Sequence, residues 1–169
     1  MAERLGLNRF GTEQPPYNSL DRRVKRELIP MARSWGYGII PWSPLAGGLL
    51  TGKYRRNQPA PEGTRFAEVE RNEMLRRRFT PGVHDVVEGL EPLARSRGCA
   101  LSQLALAWVM GRPGVTSPII GPRTMEQLED NLGALDLTLT AEELAALDAL
   151  VPPGRMVAPY YEADFGPSQ

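Results

Sequence analysis

Gly38-Ile-Ile-Pro-Trp-Ser-Pro-Leu-Ala-Gly-Gly-Leu-Leu-Thr-Gly-Lys53 joins a short apolar run to a loop punctuated by glycine. Ile39 and Ile40, closed by Pro41, suit a short buried strand. The loop that follows offers an aromatic face (Trp42), a hydroxyl (Ser43), a backbone open to close approach and, at its far end, a cation (Lys53). That combination suits a flat, phosphorylated ligand.

The 169 residues fit one domain, 1–169, with enough chain for a sizeable core. Formal net charge is zero, so no global basic field favours nucleic acid or an anionic membrane. No run approaches the ~18 apolar residues of a membrane span. The opening Met1-Ala-Glu-Arg-Leu5 has no apolar signal core, so no export is expected. The single Cys99 excludes an internal disulfide framework and fits a reducing cytoplasm, where it reads as a structural thiol. One His and one Cys, with no clustered ligands, imply no metal.

Residues 9–17 predict a strand ending at Pro15-Pro16. Asp21 then stands at an N-cap position before Val24, Leu28, Met31, Ala32 and Trp35 at helical spacing, with Gly36 as the stop. Pro30 inside that helix predicts a cost and a bent axis. The second strand is 37–42. Residues 55–80 predict a long polar loop and a short charged helix. Val83, Val86, Val87, Leu90, Leu93 and Ala94 mark an amphipathic helix ending at Gly98, with a break or kink at Pro92. Leu101, Leu104, Ala105 and Trp108 mark the next helix. Gly111 to Gly114 turns the chain into strand 115–120. Thr124 with Gln127, and Thr140 with Glu143, spell capping boxes that open two short helices. Residues 1–8 read as the stub of a preceding helix and 152–169 as an irregular tail. Short apolar strands alternating with amphipathic helices indicate α/β architecture: a parallel sheet with helical cover. Arg22, Arg23, Lys25 and Arg26 read as the solvated outer face of a helix. Arg76-Arg-Arg78 is flanked by Glu68, Glu70 and Glu73, so neither cluster argues for nucleic acid. His84, at a helix start, reads as a surface or capping residue.

Gln14-Pro-Pro-Tyr-Asn18, the 39–53 segment and Pro118-Ile-Ile-Gly-Pro-Arg-Thr-Met-Glu-Gln-Leu-Glu-Asp-Asn131 occur in that order. Together they resemble the aldo-keto reductase family, most closely the branch with potassium-channel β subunits and bacterial general oxidoreductases. The resemblance covers about residues 8–150. It implies a partial (β/α)8 TIM barrel: about strands 6–8 with their helices and the C-terminal helices. It also implies NADP(H) as cofactor and hydride transfer to aldehydes or ketones. Barrel sites form at the C-terminal ends of strands, with phosphate sites favoured after strands seven and eight; those loops would begin here at Trp42 and Gly121.

The resemblance implies these roles. Gln14 would bind the nicotinamide carboxamide, and Trp42 would stack on the ring. Ser43 and Leu45 would contact the pyrophosphate. Lys53 and Arg65 would grip phosphate across the long loop. Arg123, Gln127, Asp130 and Asn131 would hold the adenosine end, with Arg123 nearest a 2′-phosphate. Plainer roles stand beside these: Trp42 in the core, Gln14 in a turn, Lys53 and Arg65 as solvated charges, Gln127 completing its capping box, Asp130 and Asn131 on a polar helix face.

The family's tyrosine proton donor, tuning lysine, aspartate and histidine belong to the first four barrel strands, and no segment here matches them. Tyr17, Tyr37 and Tyr54 do not sit in the acid motif. The catalytic set implied for this chain is therefore none, with inactivity alone expected. Three accounts stay open: a fragment of an ordinary reductase, one piece of a split barrel, or an NADPH-binding sensor module resembling channel β subunits. The implied partners are a small carbonyl substrate and either an N-terminal half-barrel chain or a copy of itself at open sheet edges.

Overall fold

The computed structural model describes residues 2–67, 69 and 72–158. The segments expected at 9–17, 37–42 and 115–120 lie side by side and run parallel. Regular strand is confined to β1 (Thr12–Glu13) and β2 (Gly38–Ile39), with Thr12 opposite Gly38 and Glu13 opposite Ile39. The ladder continues past both. Gly38 N–H donates to Gly11 C=O (3.1 Å), Ile40 to Glu13 (2.8 Å) and Trp42 to Pro15 (3.0 Å). On the other side of β2, Thr116 N–H donates to Ile39 C=O (2.8 Å) and Ile119 to Pro41 (2.7 Å).

Proline explains why the regular strands are so short. Pro15, Pro16, Pro41 and Pro118 have no N–H to give a ladder. Gly38 permits the close approach of the third segment, because a Cβ there would lie 2.4 Å from Thr116 Oγ1. The bonds from the first segment to β2 use Gly11, Glu13, Pro15 and Tyr17. Strand alternation therefore turns the N–H and C=O of Phe10, Thr12 and Gln14 toward the opposite edge.

Among the described residues the α-helices are α1 Leu28–Trp35, α2 Glu73–Arg78, α3 Pro81–Ser96, α4 Leu101–Met110, α5 Met125–Leu132 and α6 Ala141–Leu150. The core gathers around Tyr17, Leu20, Ile39, Leu49, Leu50, Leu104 and Trp108, all essentially inaccessible. Cys99 is half-buried, and that burial pushes its thiol up. No helix is long and apolar enough to cross a membrane among the described residues. Glu68, Glu70 and residues 159–169, most of the expected irregular tail, lie outside the described residues.

Several sequence expectations need correction. The helix expected from Asp21 is split: Arg23–Lys25 forms a 3-10 turn and α1 begins at Leu28. Pro30 then falls in the first helical turn, where its missing N–H had no intrahelical acceptor, so it removes no ladder bond. Gly36 ends the helix at φ +68° as expected. The split also turns the stripe. Val24, Ile29 and Ala32 are buried, while Met31 and Trp35 are 41% and 66% exposed.

α3 runs through Pro92 unbroken. Pro92 is exposed, and the carbonyl it frees, at Glu88, lies on the same solvent side. The buried stripe Val83, Val86, Val87, Leu90 and Ala94 holds the helix on both sides of it. His84 is buried rather than superficial. Its ring sits edge-on to Phe79 with centroids 5.1 Å apart.

The largest correction concerns Arg22, which is fully buried instead of solvated. Its Nη1 pairs with Asp148 on α6 at 2.6 Å, its Nη2 donates to Leu147 C=O at 3.3 Å, and its guanidinium lies 4.6 Å from the Trp108 ring centroid. Burial lowers the Arg22 pKa, against the opposing pull of Asp148. Arg112 stacks on the same indole at 5.3 Å and donates from Nε to Trp108 C=O at 3.0 Å. Local spacing of basic residues could not distinguish this buried tie from a wet helix face.

Candidate functional site

The ends of the first two parallel segments frame a cleft of about 690 Å³. Gln14, Pro15, Pro16 and Trp42 line it together with Asp21, Arg23, Val24 and Leu28. Gln14 and Trp42 are therefore neighbours on one cavity. Gln14 is exposed and Trp42 is half-buried, with one side of the indole against the core. An indole in that setting presents a fixed flat surface. Within the lining, Arg23 forks onto Asp21, Nε at 2.9 Å and Nη2 at 2.7 Å.

The loop after Trp42 is a tight turn of unusual backbone. Ser43 (φ +54°) and Ala46 (φ +52°) occupy the left-handed region without being glycine, and Gly47 and Gly48 follow at φ +66° and +98°. Such conformations cost of order 1–3 kcal/mol each and persist only where surroundings hold them. Leu45 C=O accepts from Gly48 N–H (2.9 Å) and Leu50 N–H (3.3 Å), closing the turn. Gly48 also leaves room for the Lys53 side chain. A Cβ there would sit 3.0 Å from Lys53 Nζ, which itself lies 5.2 Å from the Tyr54 ring centroid.

Lys53 and Arg65 each adjoin a buried aromatic residue in the chain. Tyr54 and Phe66 are buried with ring centroids 5.2 Å apart, and both rings meet Phe79. Each cation is one residue before one of these rings. The loop between them is also tied down from outside. Arg56 reaches Glu88 Oε1 (3.0 Å), Glu88 Oε2 (3.0 Å) and Asp85 Oδ1 (2.6 Å) on α3, and Arg55 pairs with Glu91. Arg56 pulls the Glu88 carboxyl below its ordinary range.

Arg123 follows the third parallel segment, four residues beyond the Ile119–Pro41 ladder bond, and is exposed. The guanidinium groups of Arg65 and Arg123 have no ion-pair partner among the described residues. The capping box expected at Thr124 is only half made. Thr124 Oγ1 accepts from Gln127 N–H (3.2 Å), but the Gln127 side chain passes the cap and accepts from Arg123 N–H (2.8 Å). Gln127 thereby fixes the Arg123 backbone. At Thr140 both halves form, with Glu143 Oε2 accepting from Thr140 N–H at 2.7 Å.

Asp130 and Asn131 sit one turn further along α5. One Asp130 carboxylate oxygen accepts from Ser102 Oγ at 2.6 Å, and its C=O accepts from Gln103 Nε2 at 2.9 Å, which ties α5 to α4. Asn131 is buried. These two residues carry packing duties that Arg123 and Gln127 do not.

Sequence reasoning missed Asn18. Its side chain is completely buried and joins the first segment to the turn after Trp42: Nδ2 donates to Ser43 C=O at 3.0 Å, and Oδ1 accepts from Leu20 and Asp21 N–H, both at 2.9 Å. An Asn closing a Pro-Pro-Tyr run before Ser-Leu-Asp is the available signal, since Asn favours such local turns. It says nothing about the partner 25 residues away. Among the described residues no group of three or more His, Cys, Asp or Glu is placed to hold a metal ion.

A half-buried indole and a glycine-rich turn follow the second parallel segment, and the exposed Arg123 follows the third. The aldo/keto reductase family model matches residues 3–152, and the chain belongs to that family. It is 38% identical over 151 residues to the uncharacterized oxidoreductase YrpG of Bacillus subtilis, covering 89% of this chain and 43% of that protein. It is 38% identical over 154 residues to a probable voltage-gated potassium channel subunit beta of rice, covering 89% and 47%. It is 35% identical over 145 residues to the L-glyceraldehyde 3-phosphate reductase of Escherichia coli K12, covering 85% and 42%. The chain thus spans less than half the length of each of these relatives.

Proposed function

We propose that this chain carries much of the NADP(H) site of an aldo-keto reductase-type oxidoreductase whose reaction is hydride transfer between nicotinamide and an aldehyde or ketone. The observation that carries the assignment is the shared cleft of Gln14 and Trp42, continuous along the main-chain ladder with the Ser43 turn and the Arg123 segment. The three segments would be strands six to eight of a (β/α)8 barrel, within a domain spanning 1–169.

The residues present fit the cofactor. Trp42 would block one face of the nicotinamide and so direct transfer to the other, while Gln14 orients the carboxamide. Ser43, Leu45 and the strained turn would meet the pyrophosphate. Lys53 and Arg65, each next in the chain to a ring of the Tyr54–Phe66 pair, would neutralise it. Arg123, its backbone fixed by Gln127, would fork onto the 2′-phosphate and favour NADP(H) over NAD(H). Asp130 and Asn131 would line the adenosine end only through atoms their packing contacts leave over. When bound, the cofactor supplies the hydride; this chain orients it and excludes water from one side. The proton donor would come from the family's tyrosine and lysine, which no residue here matches, so turnover by this chain alone is not expected.

Phe10 and Trp35 are 90% and 66% exposed beside an edge that turns the Phe10, Thr12 and Gln14 backbone outward. An N-terminal half-barrel, in the same polypeptide or another, would cover that edge; otherwise copies would self-associate there. The protein would act in the cytoplasm on a small carbonyl compound. The similarity to proteins named as potassium channel β subunits favours a second reading, an NADPH-binding regulatory module that needs no turnover.

Fluorescence titration with NADPH and then NADH tests the assignment. Saturable quenching that is lost in Trp42→Phe, with NADPH bound more tightly, is expected. Absence of saturable binding overturns it. Adding a chain that bears the missing tyrosine and lysine separates the two readings, since only the enzyme gains turnover.

A further inference from the structure

We infer that Asn18 is a positioning residue for the ligand-facing turn, holding Ser43–Ala46 in the strained form that meets the cofactor. The inference rests on the cofactor assignment above, because it names what that turn is held for.

The turn contains two non-glycine residues in the left-handed region, Ser43 and Ala46. Strain of that kind relaxes unless something fixes it. The backbone closures inside the turn, Ala46 N–H to Ser43 C=O (2.9 Å) and Gly48 N–H to Leu45 C=O (2.9 Å), are local and move with it. Asn18 Nδ2 to Ser43 C=O ties the turn to a different element. The amide orientation is set by its surroundings: Leu20 and Asp21 offer N–H donors, so Oδ1 faces them, and Ser43 offers a carbonyl, so Nδ2 faces it. Asn18 N–H also donates to Asp21 C=O at 3.3 Å, and Tyr17 N–H to Trp42 C=O at 3.3 Å. The base under Asn18 is therefore fixed at both ends. The amide uses three of its bonding positions in a place without solvent, so its donor is not replaced by water when lost. Gln14 leads into the same run from the other direction. One buried side chain thus sets the carboxamide-binding end and the pyrophosphate-binding turn relative to each other.

The test uses the full chain with Asn18→Asp and Asn18→Ala. Asn18→Asp keeps the acceptor for Leu20 and Asp21 N–H but sets an oxygen against Ser43 C=O, so it turns the link from attraction to repulsion, while Asn18→Ala simply removes it. Leu147→Ala, a core truncation away from the turn, serves as a stability control. NADPH affinity is measured on the folded fraction, alongside amide hydrogen exchange over residues 43–50. Both Asn18 variants are expected to weaken NADPH binding about three- to tenfold, the range of one lost buried hydrogen bond. Exchange at 43–50 should quicken without ligand, and Leu147→Ala should lower the urea midpoint while leaving NADPH affinity unchanged. Equal affinity in wild type and both Asn18 variants overturns the inference alone, as does an equal loss in Leu147→Ala. If the unmodified chain binds no NADPH, the cofactor assignment falls and the inference falls with it.

Discussion

Arg22 and Arg123 are the same side chain in opposite surroundings. Arg22 is closed in by Trp108, Asp148 and the Leu147 carbonyl. Arg123 stands exposed at the end of a parallel segment, with only its backbone N–H held. A guanidinium already desolvated and paired can contribute to stability and is closed off from a ligand. One that is hydrated and unpaired contributes little to stability and keeps all its donors for an incoming phosphate. The buried and the free arginine are separated here by what covers them, not by the residues beside them.

The largest expected effect breaks the buried half of that contrast. Arg22→Ala leaves Asp148 without its partner and opens a cavity against Trp108. Removing one member of a buried pair typically costs about 3–5 kcal/mol, and the partial exposure of Asp148 places this case near the lower end. Urea denaturation measures it. Arg22→Met with Asp148→Leu should recover most of the loss, because no unpaired charge then remains. A single variant as stable as wild type would remove the distinction between the two arginines.

The exposed half predicts the reverse pattern. Arg123→Ala should leave the urea midpoint within the range of ordinary surface substitutions, about 0.5 kcal/mol. It should reduce the NADPH/NADH preference about tenfold, as the loss of a charge-assisted fork to a phosphate would. Paired titrations read the ratio. If both cofactors weaken equally, Arg123 serves the shared part of the nucleotide and not the 2′-phosphate.

The same contrast explains how much was legible in the sequence. The three parallel segments, the αL stop at Gly36, the cap at Thr140 and the charged helix after the long loop all follow from local patterns, and all are present. Trp42 and Gln14 carried a motif, and the structure sets them on one cleft. Arg22 and Asn18 were misread or passed over because deciding partners lie far along the chain: Asp148 is 126 residues from Arg22 and Ser43 is 25 from Asn18. The split at residues 26–27 was likewise hidden. Spacing alone reads one amphipathic stripe there, and only the packing of Ile29 decides the register.

The smallest expected effect concerns the tie between the loop around Arg56 and α3. Arg56 bridges Asp85 and Glu88 in an exposed position, so it fixes a segment more than it stabilises the fold. Glu88 has a lowered pKa in the folded state, first because Arg56 hydrogen-bonds its charged form. The sign follows: a carboxylate whose folded pKa is depressed adds stability above its unfolded value, about 4.3, and that stability is lost as pH falls through the folded value. The tie should therefore hold at neutral pH and release in acid, while Arg22 stays charged and the core holds longer. Hydrogen exchange over residues 55–67, corrected for its intrinsic pH dependence, should show protection falling in acid, below the ordinary glutamate range, before protection in α4 falls. Glu88→Gln should expose the same segment already at neutral pH and flatten the acid limb. Simultaneous loss of protection in the loop and in α4 would mean that the loop is held by the Tyr54–Phe66–Phe79 rings alone, and that the arginine fork adds nothing to it.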